Sequence, residues 1–250
     1  SALRAIGIMS TDSDGKLRLA PHLQESAKAY DRAAFRRLLQ RQVLDLRRDG
    51  DPWSIEEGEA ATSGARDLTR ALSWFLAQDA LGPPLSWTDN VQQLQKAQFK
   101  TGHLDEWVLR NDSRWGAFTR WALALGFAVP SPVRGKPGLI PLPTVAVADA
   151  LSTMPPERMS MTDFLELLSD QLPVFPGGTL REGLISRLGS DPDPGTRANA
   201  ADSSVSQVLR ILESRGIITL ESLADADGVL LVDSDRARTT HITLRGGKKR

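Results

Sequence analysis

The residue types best suited to chemistry cluster near one segment, residues 203–215. Ser203, Ser204, Ser206, Gln207 and Arg210 fall on the opening turns of a stretch in which Val205, Val208, Leu209 and Leu212 recur at helical spacing. Hydroxyls and amides at the front of a helix can meet phosphates or base edges, and an arginine there reaches a phosphate or a guanine. Arg236 and Arg238 follow further along and would sit on a minor groove or the backbone. A second set of cations lies in residues 29–48. Arg32, Arg36, Arg37, Arg41, Arg47 and Arg48 share one helical face, and Phe35, Leu38, Leu39, Val43 and Leu46 share the other. Such a face can lie along phosphates and release their counterions. It can equally be a solvated helix face, paired in part with Asp31, Asp45 and Asp49.

Covalent catalysis finds no foothold in the sequence. His22, His103 and His241 are far apart and share no spacing, and none of the common hydrolase, metalloprotease or phosphate-loop motifs occurs. The end of the chain, Gly246-Gly247-Lys248-Lys249-Arg250, is a basic tail, because no helix follows it to cradle a phosphate. A non-enzymatic protein with no cofactor and no transition metal is therefore expected. The chain has no cysteine, which excludes disulfides and thiolate metal sites and fits a reducing cytoplasm. No apolar run approaches the roughly 18–20 residues of a membrane span, and no secretory signal is visible, so a cytoplasmic protein without membrane association is expected. Six tryptophans lie between Trp53 and Trp121. Beside leucines at helical spacing they read as core whose N–H groups need partners, with a base-stacking platform as the alternative.

Charge limits the nucleic-acid reading. Lys+Arg and Asp+Glu both number 31, so any DNA contact must come from local patches and not from the field of the whole molecule. From Leu151 onward there are 12 Lys+Arg against 14 Asp+Glu, and Asp191, Asp193, Asp202, Asp225, Asp227, Asp233 and Asp235 surround the 203–215 segment. Winged helices also serve as protein-docking modules, so docking stands beside DNA contact as a reading of this unit.

The elements that would position these residues follow from periodicity and punctuation. Thr179-Leu180-Arg181-Glu182 has the form of a capping box before a helix carrying Leu180, Leu184, Ile185 and Leu188. Ser190-Asp191-Pro192-Asp193-Pro194-Gly195 forces a loop, and a second helix starts at Asp202, Ser203 or Ser204 and stops at Gly216. Short β-branched strands are expected at residues 217–220 and 228–232. Two helices, a connection and a hairpin make a winged helix-turn-helix with residues 203–215 as recognition helix. The phrase in which an apolar helix end meets glycine and a strand leaves it occurs three times, at Gly7, Gly126 and Gly216. Tandem winged-helix units are the preferred reading, against helix–glycine–strand junctions of an ordinary α+β protein.

The expected fold is thus mainly α with short β-hairpins (α+β). Residues 1–28 read as the remnant of an N-terminal winged-helix unit whose natural chain starts earlier, with Ser1-Ala2 as a cloning scar. Residues 29–151 form a helical domain ending in a winged-helix-like hairpin, residues 157–245 a C-terminal winged-helix domain, and residues 246–250 the basic tail. Inside the helical domain, helices are expected at 29–48 and 63–80, after Thr88 or Asp89, at 103–110, at 114–125 capped by Asp112, and at 143–151. A helix at 161–172 opens the last domain after the linker Ser152-Thr153-Met154-Pro155-Pro156.

Three longer stretches carry a resemblance. Residues 64–78 (Gly64-Ala65-Arg66-Asp67-Leu68 through Trp74-Phe75-Leu76-Ala77-Gln78), residues 111–122 (Asn111-Asp112-Ser113-Arg114-Trp115 through Trp121-Ala122) with Leu125-Gly126-Phe127, and Pro141-Leu142-Pro143-Thr144 with the 203–220 segment resemble the DpdG family. That family belongs to bacterial gene clusters that insert 7-deazaguanine derivatives into DNA and restrict unmodified DNA. The resemblance implies a non-enzymatic, DNA-associated accessory subunit of a DNA-modification or restriction (anti-phage defence) system, with other subunits of that complex as partners. It brings no active-site residues with it. The alternatives are a docking scaffold with no direct DNA contact and a stand-alone transcription regulator.

Overall fold

The computed structural model describes residues 2–24, 31–45, 53, 64–106, 108–193, 200–232 and 238–245. It opens with α1 (Ala2–Ala5), the hairpin β1 (Met9–Thr11) and β2 (Leu17–Leu19), and α2 (Pro21–Gln24). Next come α3 (Arg32–Leu44) and α4 (Gly64–Ala77), then a π-helical turn, Trp87–Val91, that runs into α5 (Gln92–Gln98). A 3-10 turn, Thr101–Glu106, precedes α6 (Asp112–Ala124), the hairpin β3 (Val129–Pro130) and β4 (Leu139–Ile140), and α7 (Thr144–Leu151). The last part is β5 (Arg158–Ser160), α8 (Met161–Gln171), α9 (Thr179–Ile185), α10 (Ser203–Ser214), β6 (Ile218–Glu221) and β7 (His241–Leu244). The class is α+β: helices predominate and the sheets are small and antiparallel.

The centre of the molecule is α4. Its Leu72 and Phe75 are fully buried, and α1, α3, α6 and α9 all pack against it. Buried residues from Ile6 to Leu244 form one continuous cluster. Inside it the long polar side chains satisfy one another. Trp74 Nε1 donates to Gln98 Oε1 at 2.8 Å, and Gln98 Nε2 donates to Gln78 Oε1 at 2.8 Å, as burial of amide groups requires.

The three glycine junctions share one geometry. Gly7, Gly126 and Gly216 have φ of 72°, 77° and 69°. The N–H of the next residue reaches back to a carbonyl five residues earlier: Ile8 to Leu3 at 2.9 Å, Phe127 to Ala122 at 2.9 Å, and Ile217 to Leu212 at 3.0 Å. This is the Schellman arrangement, and only glycine takes the left-handed backbone without cost. Each is followed by an antiparallel hairpin in its own sheet, β1–β2, β3–β4 and β6–β7. The first hairpin brings Ile6 and Ile8 into the core, and α1 lies against α4.

Several expectations shift. The returning strand of the last hairpin is β7, not residues 228–232, which make only isolated bridges, Val229 to Thr239 and Leu230 to Ala200. A third strand, β5, precedes α8 and completes the sheet in the order β5–β7–β6, with Met159 opposite Ile242 and Leu220 opposite Ile242 on the other side. The N-cap of α9 is Gly178 with no side-chain bond, so the Thr179 capping box does not form. The cap of α6 is Asn111, whose side chain accepts from the Arg114 N–H, and the turn before α5 is capped by Ser86. Residues 103–110 form no α-helix; the 3-10 turn stops at Glu106. Phe35, placed inward by periodicity, is 39% exposed, because α3 turns Leu39, Val43 and the polar Gln40 inward.

Candidate interaction surface of the last unit

The N-terminal end of α10 is enclosed. Ser203, Ser204 and Ser206 are 1%, 3% and 0% exposed. The Ala80 N–H donates to Ser203 Oγ at 2.8 Å, and Ser204 Oγ donates to the Leu76 carbonyl at 3.2 Å. Ser206 Oγ donates to the Ala201 carbonyl at 3.2 Å and accepts from the Val232 N–H at 3.0 Å. The three hydroxyls expected to face a phosphate are therefore spent on backbone groups of α4's C-terminal end and of the neighbouring loops. Serine is small enough for such close approach and carries its own donor and acceptor. Helical periodicity cannot distinguish that use from an exposed one.

Beneath this contact lies an ionic network. Arg181 on α9 is buried; one Nη donates to the Ser73 carbonyl at 3.1 Å and the other to Asp202, the N-cap of α10. Asp193 is also buried, and its Oδ2 accepts the Ser203 N–H at 2.9 Å. The aspartates ahead of α10 thus take up its free N–H end and a buried cation. Burial pushes the Asp202 carboxyl above its ordinary value against the pull of the Arg181 charge, with Asp193 and Asp191 adding to the rise. Burial likewise lowers Arg181, with the surrounding carboxylates opposing it.

What α10 leaves to solvent is its middle and C-terminal end. Arg210, Ser214 and Arg215 are exposed and Gln207 is half-buried. Among the described residues Arg210 makes no ion pair. Arg238 is exposed, and its carbonyl accepts from Ser222 Oγ at 2.6 Å. Arg236 and the basic tail 246–250 lie outside the described residues.

The arginine face of α3 is only partly a solvated face. Arg36 grips Asp149 of α7 with two bonds, 2.5 Å from Nε and 2.9 Å from Nη2, and Arg37 lies 3.9 Å from the same carboxylate. Gln40 Nε2 completes the cluster, donating to the Leu125 carbonyl at 2.8 Å and to Asp149 at 3.2 Å. The bonds donated to Asp149 by Arg36 raise the Arg36 pKa further. Asp149, distant in sequence, is thus a counter-charge of this face, while Asp31 caps the helix by accepting the Ala34 N–H, and Asp49 lies outside the described residues. Arg41 stays exposed, at a cleft it shares with Asp45 and Asp170. Arg47 and Arg48 lie outside the described residues.

The tryptophans that are described pack inward. Trp53, Trp74 and Trp115 are buried, and Trp87 and Trp121 are half-buried against the core. The guanidinium groups of Arg70 and Arg187 lie 5.1 Å and 4.9 Å from the Trp53 ring centre, and the indole Nε1 donates to the Leu180 carbonyl at 3.1 Å. These cation–π contacts and the bond to α9 hold a Trp53 that is 5% exposed, which speaks against its use as a base-stacking platform. Among the described residues no group of three or more His, Asp or Glu side chains is arranged to hold a metal ion. Among them, too, no helix is long and apolar enough to cross a membrane.

No curated protein and no solved structure matches the chain. A family model described as DpdG-like matches residues 1–226. That span runs from the first hairpin through α10 and β6, and the chain belongs to the DpdG-like family.

Proposed function

We propose that the chain is a non-enzymatic accessory subunit of a bacterial DNA-modification or restriction system, and that its last part is a winged-helix unit used mainly to dock a partner protein. Family membership supports the setting. The element order β5-α8-α9-α10-β6-β7 with the sheet order β5–β7–β6 supports the winged-helix reading, with α10 in the place of the recognition helix. The hairpins after Gly7 and Gly126 would be partial versions of the same unit.

The observation that carries docking over groove reading is the burial of Ser203, Ser204 and Ser206, the first two against the C-terminal end of α4 and the residues after it and the third against Ala201 and Val232. A recognition helix reads bases with its N-terminal residues, and in α10 those residues are internal. The half-buried Gln207 and the exposed Arg210 and Ser214 remain as a docking strip. A second reading, DNA contact through this strip, is favoured by Arg210, which is exposed and makes no ion pair among the described residues.

Two measurements on one variant separate the readings. Gln207→Glu/Arg210→Glu should abolish co-purification with the other subunits of the cluster, while the wild-type chain shifts duplex DNA weakly or not at all near about 50 mM salt. Retained co-purification together with lost DNA binding would overturn docking. In that case Arg210→Ala should cost roughly 1–3 kcal/mol of DNA affinity if it reads a base, or lower the salt slope by about one if it meets a phosphate.

A further inference from the structure

A cleft among the described residues lies at the opposite end of α10. It is about 750 Å³ and is bounded by the end of α7, the linker after it, the end of α10 and the open ends of β6 and β7. Leu151, Met154, Ile217 and Leu244 supply its apolar wall, and Arg215 and Arg245 stand at its rim. Both arginines are exposed and neither makes an ion pair among the described residues. Arg245 is oriented by a bond from its Nε to Thr219 Oγ1 at 2.8 Å, and its N–H is tied to the Ile217 carbonyl at 3.0 Å. In sequence, Gly246 and Gly247 separate Arg245 from Lys248, Lys249 and Arg250. The Leu244 N–H donates to the Glu157 carbonyl at 2.8 Å.

We infer that this cleft binds an acidic, apolar peptide segment of a partner protein, its leucine-like side chains against Leu151, Met154, Ile217 and Leu244 and its carboxylates on Arg215 and Arg245. The inference extends the docking reading and rests on it for the partner being a protein. The volume falls within the range of about 300–1,000 Å³ typical of ligand pockets, and methionine adapts to varied side chains. Charge complementarity selects the sign of the partner: among the described residues neither rim cation is paired with a carboxylate. Single-stranded nucleic acid fits less well. Its binding platforms stack bases on aromatic rings, and no aromatic side chain and no side-chain amide lines this cleft. The apolar wall also has nothing to offer a phosphate backbone.

The test is a selection from a displayed library of random peptides on the full chain, repeated on Arg215→Glu/Arg245→Glu. Both replaced side chains are exposed, so an unchanged thermal melt is expected and checks that the variant folds. Wild type should enrich peptides that alternate Asp or Glu with Leu, Ile or Phe. Affinity of the enriched peptides, measured by fluorescence anisotropy, should fall at least tenfold on the double variant, and selection on that variant should turn to basic–apolar sequences. A third variant, Ala148→Glu at the half-buried wall, should weaken the same peptides with the rim charges intact. No acidic–apolar enrichment, or enriched peptides that bind the double variant within twofold, would overturn the inference. Labelled oligo-dT that binds wild type and is lost on the double variant would reassign the cleft to nucleic acid. Failure here with loss of co-purification in Gln207→Glu/Arg210→Glu would leave docking through α10 standing and remove only the cleft.

Discussion

Replacing Arg181 by methionine keeps the apolar stem in a shorter side chain and removes the cation that, among the described residues, bonds Asp202. Side-chain exposure is 5% for Arg181 and 24% for Asp202, so Arg181 is cut off from bulk water and Asp202 is only partly hydrated. Removing one partner of such a pair leaves an uncompensated buried charge and costs about 3–5 kcal/mol, a large share of the roughly 5–15 kcal/mol that holds a typical protein together. The neighbouring Asp193 and Asp191 worsen the case, since both already push the Asp202 carboxyl upward. Without Arg181 its folded pKa rises further above the unfolded value of about 3.9. A raised carboxyl favours the folded state in its protonated form, fully below the unfolded pKa, and that contribution is lost as pH rises through the folded pKa. The deficit of Arg181→Met should therefore be largest near pH 7.5 and shrink as pH falls toward 5. Adding Asp202→Ala removes the stranded charge and should recover stability, with a coupling of about 0.5–3 kcal/mol. Urea unfolding of the two single variants and the double at both pH values measures all of this. A deficit below about 1 kcal/mol, or one independent of pH, or a double variant no better than Arg181→Met, would refute the reasoning.

Three shorter predictions bear on other joints. A Cβ at Gly183 would lie 2.2 Å from Trp53 Cδ1 and 2.4 Å from its Nε1, so Gly183→Ala should push the indole off its contacts with Arg70 and Arg187 and cost about 1–3 kcal/mol in urea unfolding. Asp149→Asn removes the charge that Arg36 and Gln40 share across α3 and α7; a loss of about 1–3 kcal/mol is expected, visible as a lower melting temperature. Glu221 is held below the usual carboxylate range, first by its bond from Arg158 and then by Thr243. Its contribution is present above the unfolded pKa and fades as pH falls through the folded one, so amide exchange in β6 and β7 should quicken on acidification in wild type and much less in Glu221→Gln.

How far the sequence reaches can be judged element by element. The glycine junctions are legible because they are local: an apolar helix end, one glycine and a β-branched run fix a Schellman cap within a few residues. The helices at α4, α7, α8 and α10 likewise follow from 3.6-residue periodicity. The last strand was legible but outcompeted. In β7 Ile242 and Leu244 are buried while His241 and Thr243 are half-buried, a clean alternation, yet the run at 228–232 is the more apolar, and in the structure it makes only isolated bridges. The strand β5 is too short to carry a period of its own. The charge pairs were out of reach: Arg36 meets Asp149 across 113 positions of chain, and nothing in either neighbourhood marks the partner.

The serines of α10 show why site prediction fails more readily than fold prediction. Ser203, Ser204 and Ser206 were singled out because hydroxyls at a helix front suit phosphate, and the same property lets them seal that front against α4. Which use wins depends on whether another element lies across the helix, and that is a tertiary fact. The aspartates supplied a hint in the sequence. Residues 191, 193 and 202 put three carboxylates at the end of α10 that would have to approach DNA, where they would repel phosphate if left free. Two of them instead engage Arg181 and the Ser203 N–H. Acidic residues crowded at a supposed DNA-reading end are thus better explained as a helix cap and a joint between α9 and α10. The exposed cations Arg210, Arg215 and Arg245 lie away from that end, on the middle of α10 and at the mouth of the apolar cleft. An apolar wall rimmed by arginines that make no ion pair among the described residues suits a protein segment, and that placement joins a neutral overall charge to a docking role more simply than to DNA reading.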